Sequence, residues 1–333
     1  ESRWGEIWLN AIRDWIVNPE WKTAYDEFKV YDRVLTATEV LANYEKIFPS
    51  TALPSNPIVT VPLSDCPVVC DGIVDAAEWN DASQVPIVSP MPANRHNKDY
   101  FASVKLKHDE QNLYLAFMVP EPARKYDITS RDGEPWFNDL VEFHVIGTDQ
   151  VQRQFAVNPA GAFYDSLNGD KKWNSDGKSA ASRNKDSWTA ELVIPWSDLG
   201  GKGELLANFC TSSSEAQNLN FTWSAVSGLA NGFKAKQFFG RLKLGLAKDA
   251  VAIKSLGSLQ AGKLQVAIGL APAAAVDLKL SNMDGSNINA KIDAGGIWQQ
   301  SLPSGISKLE LRCGEAFFYP LTFPVNPPLT VSV

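Results

Sequence analysis

Residues Leu113-Tyr114-Leu115-Ala116-Phe117-Met118-Val119 form a short apolar run directly after the turn-forming residues Asp109-Glu110-Gln111-Asn112. A run of this length between turn formers is typical of a buried β-strand. The pattern recurs along residues 66–245, and this regular spacing favours an antiparallel β-sandwich over a βαβ fold. The strands predicted there are Tyr100–Leu106, Leu113–Val119, Val141–Ile146, Gln154–Val157, Ser187–Ile194, Phe221–Val226 and Phe238–Leu244.

Residues 250–333 have no long helical period, and glycine and proline separate their apolar runs. This composition predicts a second, small immunoglobulin-like β-sandwich at 250–333. The fold class we expect is therefore all-β, with tandem antiparallel β-sandwiches. The strands predicted in this segment are Leu264–Leu270, Val276–Leu280, Ser307–Leu311 and Phe317–Phe323.

The first 48 residues carry a different pattern, which predicts a strand followed by a helix. Apolar and polar residues alternate around Phe28. Thr36 and Glu39 have the spacing of a capping box, which indicates a helix start. Proline and serine in residues 49–65 predict a linker between this strand–helix remnant and the sandwich.

The composition of the 333-residue chain excludes several classes of protein. A formal net charge of −7 without lysine or arginine clusters argues against binding to nucleic acid. No apolar run approaches the roughly 18 residues that cross a bilayer, so we expect no membrane partner. Apolar residues make up 44% of the chain, which is typical of a globular protein.

Two residue counts are unusual for this length. There are 11 tryptophans, which indicates either large sandwich cores or flat platforms on which ligands stack. There are only 3 histidines, which argues against metal-dependent and general-base enzymes.

Four cysteines are present. The spacing of Cys66 and Cys70 permits a small local disulfide, whereas a zinc site would need two more nearby ligands that the local sequence lacks. Free thiols remain an alternative, and pairing of Cys210 with Cys313 has little support. An acidic chain of β-modules with one disulfide favours a secreted or cell-envelope protein.

A set of short motifs follows in a fixed order along residues 66–245. They are Asp71-Gly72-Ile73-Val74-Asp75 with Glu78-Trp79, Leu113-Tyr114-Leu115-Ala116, Trp136-Phe137-Asn138-Asp139-Leu140-Val141-Glu142-Phe143, Trp188-Thr189-Ala190-Glu191-Leu192-Val193-Ile194-Pro195, and the closing Ala207-Asn208-Phe209, Trp223-Ser224 and Phe239-Gly240-Arg241-Leu242. In this order the motifs resemble carbohydrate-binding module family 9 and the wider DOMON-like sandwiches.

A second resemblance covers the N-terminal segment. Asp26-Glu27-Phe28-Lys29-Val30-Tyr31-Asp32-Arg33-Val34-Leu35 resembles the last strand of a laminin-G or concanavalin-like jelly roll. The resemblance implies that residues 1–48 are the end of such a domain. We therefore expect the chain to be a piece of a larger exported polysaccharide-acting protein, fused to other catalytic or binding modules.

The family 9 resemblance implies a non-catalytic module that holds a poly- or oligosaccharide between aromatic rings. Trp136 is the first stacking candidate because it follows a polar turn, and Trp223 is expected to face it. Trp173 lies in a polar loop and is a third candidate. Indole rings offer a wide, rigid apolar face to the C–H bonds of a sugar. The tryptophans predicted to be core residues are Trp79, Trp188 and Trp196.

Polar side chains are expected to bind the hydroxyls at the rim of the sugar. The resemblance implies this role for Glu142, which alternates with the apolar residues of its strand. Asn138 and Asp139 precede that strand. Gln154 and Asn158 belong to the next strand region, where the family carries a polar residue.

A structural calcium ion is the one cofactor expected, and no organic cofactor is. Calcium binds several oxygen ligands at once, and Asp71 and Asp75 can supply two. This expectation depends largely on the resemblance, and capping of turns by the two aspartates is the alternative.

Three other functions remain open. A haem-binding DOMON domain would use axial ligands such as Met118 and His144. A glycoside hydrolase would need two converging carboxylates, but Asp139 and Glu142 are predicted to lie on opposite faces of one strand. A structural adhesion or spacer module would bury Trp136 in its core.

Overall fold

The computed structural model describes residues 56–90, 102–214, 219–224, 232–259, 261–272, 275–282 and 285–325. The strand, the helix and the laminin-G-like tail predicted within residues 1–48 lie outside this part of the chain. So does most of the predicted linker at 49–65. The described residues belong to one compact unit, and no helix among them is long and apolar enough to cross a bilayer.

The described chain is built of strands in two sheets, which confirms the all-β prediction. The strands of the twelve-stranded sheet are β1 (Ile58–Pro62), β3 (Ser89–Pro90), β6 (Leu140–Ile146), β7 (Gln152–Val157), β8 (Phe163–Leu167), β11 (Leu205–Ser213), β12 (Leu219–Thr222), β13 (Gly240–Gly245), β16 (Val276–Asn282), β17 (Asn287–Ile292), β19 (Gly305–Cys313) and β20 (Phe317–Val325). The strands of the eight-stranded sheet are β2 (Ser83–Ile87), β4 (Ala102–His108), β5 (Asn112–Val119), β9 (Lys178–Arg183), β10 (Trp188–Pro195), β14 (Ala252–Ser258), β15 (Lys263–Leu270) and β18 (Ile297–Ser301).

The order of strands in the larger sheet is β17-β16-β19-β20-β1-β13-β11-β6-β7-β8, and β12 and β3 continue from β11. In the smaller sheet the order is β18-β15-β14-β2-β4-β5-β10-β9. Most neighbours are antiparallel, as predicted. Two pairs are parallel, because β1 runs beside β13 and β2 runs beside β14.

Strand β1 lies within the segment predicted to be a linker, 49–65. Val59 and Val61 are fully buried between the sheets, and β1 is hydrogen-bonded to both β13 and β20. Alternating valines with buried side chains explain the strand. Its prolines, Pro57 and Pro62, stand at or beyond its ends, where a missing N–H is tolerated.

The C-terminal strands extend both sheets of the first sandwich. Strands β16, β17, β19 and β20 extend the larger sheet through β1, and strands β14, β15 and β18 extend the smaller one through β2. The buried residues of both segments form one continuous apolar cluster. The prediction that 250–333 is a separate domain remains untested by this arrangement.

A row of aromatic rings crosses the core between the sheets. Phe155 stacks on Phe163 and Phe143, and Phe143 stacks on Phe209 with centroids 5.4 Å apart. Trp223 continues the row from Phe209, at 5.2 Å. The predictions that Trp79, Trp188 and Trp196 are core residues are confirmed, since each is at most 4% exposed.

One short helix, α1 (Ala76–Trp79), covers the outer face of the smaller sheet. Trp79 anchors α1 in a small second core with Tyr114 and Ala116. The Asp75 side chain caps the helix by accepting a hydrogen bond from the backbone N–H of Glu78.

Candidate functional site

The outer face of the larger sheet carries a group of polar side chains on β6, β7 and β11. In β6, Val141, Phe143 and Val145 belong to the apolar core. Because side chains alternate along a strand, Glu142 and His144 point to the outer face instead. Both side chains are nevertheless largely buried.

Strand register places these residues in two neighbouring rows. Glu142 lies opposite Ala156 of β7 and Cys210 of β11, and Ala156 lies opposite Tyr164 of β8. In the next row, His144 lies between Gln154 of β7 and Asn208 of β11. The rows bring together two residues predicted for the site, Glu142 and Gln154.

Glu142 is held in one orientation by its neighbours. Its Oε2 accepts a hydrogen bond from Gln154 Nε2 at 2.7 Å and lies 3.1 Å from His144 Nε2. Its Oε1 has no hydrogen-bond partner within the described residues. A fixed carboxylate with one open oxygen can accept a hydrogen bond from a ligand hydroxyl without first being reoriented.

Trp136 lies above the same face, at the Tyr164 end of the first row. It belongs to a 3-10 turn, Pro135–Phe137, just before β6. The residue is 41% exposed, and its ring packs edge-on against Tyr164, with centroids 4.8 Å apart. The prediction of an exposed ring at Trp136 is therefore confirmed. Two strand spacings, about 10 Å, separate the backbones at Tyr164 and Glu142.

The loop before Trp136 is tied to strand β8. Arg131 Nη2 donates to Asp165 Oδ2 at 2.6 Å, and the guanidinium lies 4.8 Å from the Phe163 ring. The Asp132 N–H donates to the carbonyl of Phe163. Asp132 and Glu134 adopt left-handed backbone with φ near 57° and 58°, which turns the chain sharply before Pro135. These contacts tie the loop that precedes Trp136 to strand β8.

A second aromatic residue lies at the other side of Glu142. Phe233 is half-buried, its ring centroid is 6.3 Å from that of His144, and its carbonyl accepts a hydrogen bond from Asn208 Nδ2. The Nζ of the following Lys234 is 5.9 Å from the centroid of Trp136. Phe233 and Trp136 therefore flank the buried carboxylate on one face of the sheet.

Neither Phe233 nor Tyr164 was predicted from the sequence as a site residue. A signal for Phe233 was present, because it follows Asn231-Gly232 much as Trp136 follows Asp132-Gly133. An aromatic residue after such a turn is placed at the surface more often than one inside an apolar run. Tyr164 had no comparable signal, since its role depends on the register between β7 and β8.

The prediction that Trp223 faces Trp136 as a stacking ring is wrong. Trp223 is 2% exposed and packs on Phe209 in the aromatic row of the core. The backbone of Gly240 lies against its six-membered ring, where any Cβ would collide with it. Neither face of the indole is open to a ligand.

Trp173 is also placed away from Trp136. It is half-buried against the core, and its ring meets Phe155 edge-on at 6.1 Å. Phe155 points to the interior of the sandwich, whereas Trp136 and Tyr164 lie on the outer face. The two tryptophans therefore lie on opposite sides of the sheet and do not form one site.

Asn138 and Asn158 use their amides to hold the loop around Ile128. Asn138 Oδ1 accepts from the Ile128 N–H and from Asn158 Nδ2. Asn158 Nδ2 also donates to the Ile128 carbonyl, and its Oδ1 accepts from two backbone N–H groups. Both side chains are buried, so the predicted contact with a ligand is replaced by a structural one.

Asp139 is buried and fully engaged in the same way. Its Oδ2 accepts from the backbone N–H groups of Arg124 and Lys125, and its Oδ1 accepts from the N–H and hydroxyl of Ser214. Four hydrogen bonds from two loops leave no lone pair directed at the outer face. The prediction that Asp139 binds a sugar rim is not supported by this geometry.

The residues predicted to bind calcium do not fit a calcium site as placed. Asp71 Oδ1 accepts from the Ile73 N–H, and Asp75 caps α1. Among the described residues no group of three or more histidine, cysteine, aspartate or glutamate side chains is arranged to hold a metal ion. The placement matches the alternative, in which both aspartates cap turns.

The buried carboxylate of Glu191 anchors the segment around Asp71. No role was predicted for this residue from the sequence. Glu191, which is fully buried, accepts from the N–H groups of Asp71 and Gly72 and from Trp79 Nε1. Burial raises the pKa of Glu191, while these three donors act in the opposite direction. Glu191 is therefore a structural residue of the opening segment.

Cys66 and Cys70 are both free thiols, so the local disulfide that their spacing permits is not formed. Cys66 Sγ contacts the carbonyls of Ala77 and Glu78, whereas Cys70 Sγ contacts that of Glu191. Cys66 therefore contacts α1, whereas Cys70 contacts β10.

The ligands proposed for a haem alternative lie far apart. Leu115, Phe117 and Val119 face the core from β5, so Met118 points to the outer face of the smaller sheet. His144 points to the outer face of the larger sheet. The two side chains lie on opposite sides of the sandwich and cannot bind one iron.

A groove of about 570 Å³ lies on the outer face of β16, β17 and β19. Four of its five charged side chains are paired with one another, Lys291 with Asp277 at 3.4 Å and Arg312 with Glu310 at 3.7 Å. Exposed cross-strand pairs of this kind are typical of a solvated sheet face. The groove is therefore a weaker candidate than the face around Glu142.

Comparison with known proteins decides the family. The model of the family described as carbohydrate family 9 binding domain-like matches residues 70–246, more than half of the chain. The chain belongs to this family. The module contains Trp136, Glu142 and Gln154, as well as Phe233.

Solved structures of similar fold are distant in sequence. A proposed carbohydrate-binding protein from Bacteroides uniformis ATCC 8492 is 20% identical and has a TM-score of 0.48, with 57% of this chain and 100% of that chain covered. A family 9 module from Caldicellulosiruptor kristjanssonii was solved with cellotriose (18% identity, TM-score 0.43, 56% and 94% covered) and with glucose (20%, 0.43, 56% and 96%). No curated protein matches the chain.

Proposed function

We propose that the family 9 module binds the end or the interior of a poly- or oligosaccharide on the outer face of its larger sheet. Trp136 supplies the stacking ring, and Glu142 accepts a hydrogen bond from a sugar hydroxyl through its open Oε1. The observation that carries the proposal is the pairing of an exposed, fixed indole with a buried, oriented carboxylate on one face.

The physical chemistry of these groups suits a pyranose. One face of the sugar presents C–H bonds, which an indole ring covers at low entropic cost because Tyr164 already fixes it. The rim presents hydroxyls, which charge-assisted hydrogen bonds to Glu142 would bind strongly. Phe233, on the far side of Glu142, is the second apolar surface in place of Trp223.

We further propose that the module is non-catalytic. Hydrolysis of a glycoside needs two carboxylates on either side of the bond. Asp139, the carboxylate next to Glu142 in its motif, uses both oxygens within the loops. The chain should therefore hydrolyse no glycoside, and turnover above that of a mock preparation would overturn this part of the proposal.

Two further proposals concern the whole protein and a bound ion. One is that the parent protein is exported and carries further modules. The other is a structural calcium ion, which the placement of Asp71 and Asp75 does not favour.

The experiment that tests the function compares retention of the chain on insoluble cellulose, xylan, mannan and chitin. Wild-type protein should be retained on at least one, and Trp136→Ala should lose that retention. Phe137→Ala is the matched control, because Phe137 is the adjacent residue and its ring is 75% exposed. Retention of Trp136→Ala equal to that of the wild type would overturn the proposal.

A further inference from the structure

A second buried polar cluster lies on the outer face of the smaller sheet, under α1. Its centre is Lys107 of β4, which is fully buried. The Nζ of Lys107 donates to Asp81 Oδ1 at 3.0 Å and to the carbonyl of Glu78. It also lies 3.4 Å from the sulfur of Cys66. A buried ammonium needs an acidic partner, and Asp81 provides it here. The additional contact with a thiol is not needed to stabilise the charge.

Both atoms of this contact are fixed. The Nζ is held by its two oxygen acceptors and lies 5.5 Å from the centroid of Trp79. The Cys66 sulfur contacts the carbonyls of Ala77 and Glu78, and the Ser64 hydroxyl bonds to the Cys66 carbonyl. Amine and thiol therefore face each other in a preorganised geometry, which favours reaction between them.

We propose that Cys66 and Lys107 are joined by an oxidative crosslink in which one oxygen atom bridges Sγ and Nζ. The thiol and the neutral amine react with molecular oxygen. The S–H bond and one N–H bond break, S–O and O–N bonds form, and the second oxygen atom leaves as water with both hydrogens. Sulfur and nitrogen each lose two electrons, and oxygen gains four. The proton that the ammonium must first release passes to the solvent.

The surroundings favour this crosslink over a disulfide with Cys70. The Cys70 sulfur faces the carbonyl of Glu191. Burial, followed by the nearby Glu191 carboxylate, raises the pKa of Cys70 to about 11. Little thiolate is therefore available at Cys70 for disulfide formation. Cys66 is half-buried, as Cys70 is, so dissolved oxygen can reach its sulfur.

The crosslink would connect three parts of the module. Cys66 lies in the segment that follows β1, Lys107 lies near the end of β4, and α1 packs between them through Trp79 and Glu78. A covalent bond there would tie the entering chain to the smaller sheet and restrict the unfolded state. It lies on the opposite side of the sandwich from Glu142, so it is independent of sugar binding.

Peptide mapping by mass spectrometry tests the proposal on wild-type protein kept in air and on protein kept in dithiothreitol. In air, the peptides that contain Cys66 and Lys107 should be linked, with a gain of about 14 Da for one oxygen less two hydrogens. Dithiothreitol should release them. The linked peptide should persist in Cys70→Ser and vanish in Cys66→Ser and Lys107→Arg. Unlinked peptides, a Cys66–Cys70 disulfide, or a Cys66 sulfinic acid beside unmodified Lys107 would each overturn it.

Discussion

Gln154 Nε2 donates a 2.7 Å hydrogen bond to Glu142 Oε2 across the pair β6 and β7, where the two side chains lie in adjacent rows of the outer face. Together with His144, this bond leaves Glu142 Oε1 as the open acceptor. The carboxylate is thus oriented before any ligand arrives, which reduces the entropy lost on binding.

Glu142→Gln should weaken binding of the retained polysaccharide. The substitution keeps the size of the side chain but removes the charge, and a hydrogen bond to a charged group contributes about 1.5–3 kcal/mol. We therefore expect affinity to fall roughly 10- to 100-fold, measured by isothermal titration with a soluble fragment of that polysaccharide. Glu110→Gln is the control, because Glu110 has an 82% exposed side chain paired with Lys202. Equal affinities in the two variants would contradict the role of Glu142.

Trp223→Ala should destabilise the fold, because Trp223 is a core residue. Removing a buried tryptophan creates a cavity and costs about 3–5 kcal/mol. Unfolding in urea should show this loss as a lower midpoint. A variant as stable as the wild type that fails to bind sugar would instead restore the stacking role predicted from the sequence.

Asp139→Asn separates a structural role from a binding role. The amide retains one acceptor oxygen, so hydrogen bonds from Arg124 and Lys125 or from Ser214 lose their partner. Unsatisfied buried donors cost about 1–3 kcal/mol. We expect lower stability in thermal unfolding but sugar affinity within about twofold of the wild type. A large loss of affinity with unchanged stability would place Asp139 in contact with the sugar.

Lys105 gives a prediction for the dependence of stability on pH. Burial, and then repulsion from Lys254 and Lys107, lowers its pKa to about 8, while Asp81 and Asp75 act in the opposite direction. Between about pH 8 and the unfolded pKa near 10.5, the unfolded chain binds more protons at this site than the folded one. The free energy of unfolding contributed by Lys105 must therefore rise with pH across this window.

The comparison with Lys105→Met isolates most of that contribution, because the titrating groups that do not interact with Lys105 cancel. The stability of the wild type relative to the variant should increase by up to about 3 kcal/mol from pH 8 to 10.5. Urea unfolding of both proteins at several pH values measures it. A difference that does not change with pH would show that Lys105 titrates normally in the folded chain.

The sequence predicted only some of the strands, chiefly apolar runs bounded by turn formers, and it did not predict β2, β8, β11, β14, β17 or β18. Strands such as β5 and β10 follow from alternation and burial, which act locally. β9, with the sequence Lys-Ser-Ala-Ala-Ser-Arg, was missed because it is a polar edge strand beside β10. β1 was missed because prolines near its ends resembled a linker.

The candidate site was predicted in part, for a similar reason. Trp136 was identifiable because a polar turn precedes it, and Glu142 because it alternates with apolar neighbours. Trp223 has apolar neighbours in the sequence. The sequence alone does not show which face of the sheet its ring occupies. The contribution of Phe233 depends on its contact with His144, a residue 89 positions earlier in the printed sequence.

Stacking of a sugar on Trp136 is tested most directly by NMR, which follows the indole N–H signals of ¹⁵N-labelled protein during a titration. The ligand is a trisaccharide of the retained polysaccharide, which is cellotriose in the case of cellulose. Loss of one signal in Trp136→Phe assigns Trp136. We predict that this signal shifts with saturation while those of the buried Trp188 and Trp223 stay in place. Saturable binding of the trisaccharide with an unmoved Trp136 signal would contradict it.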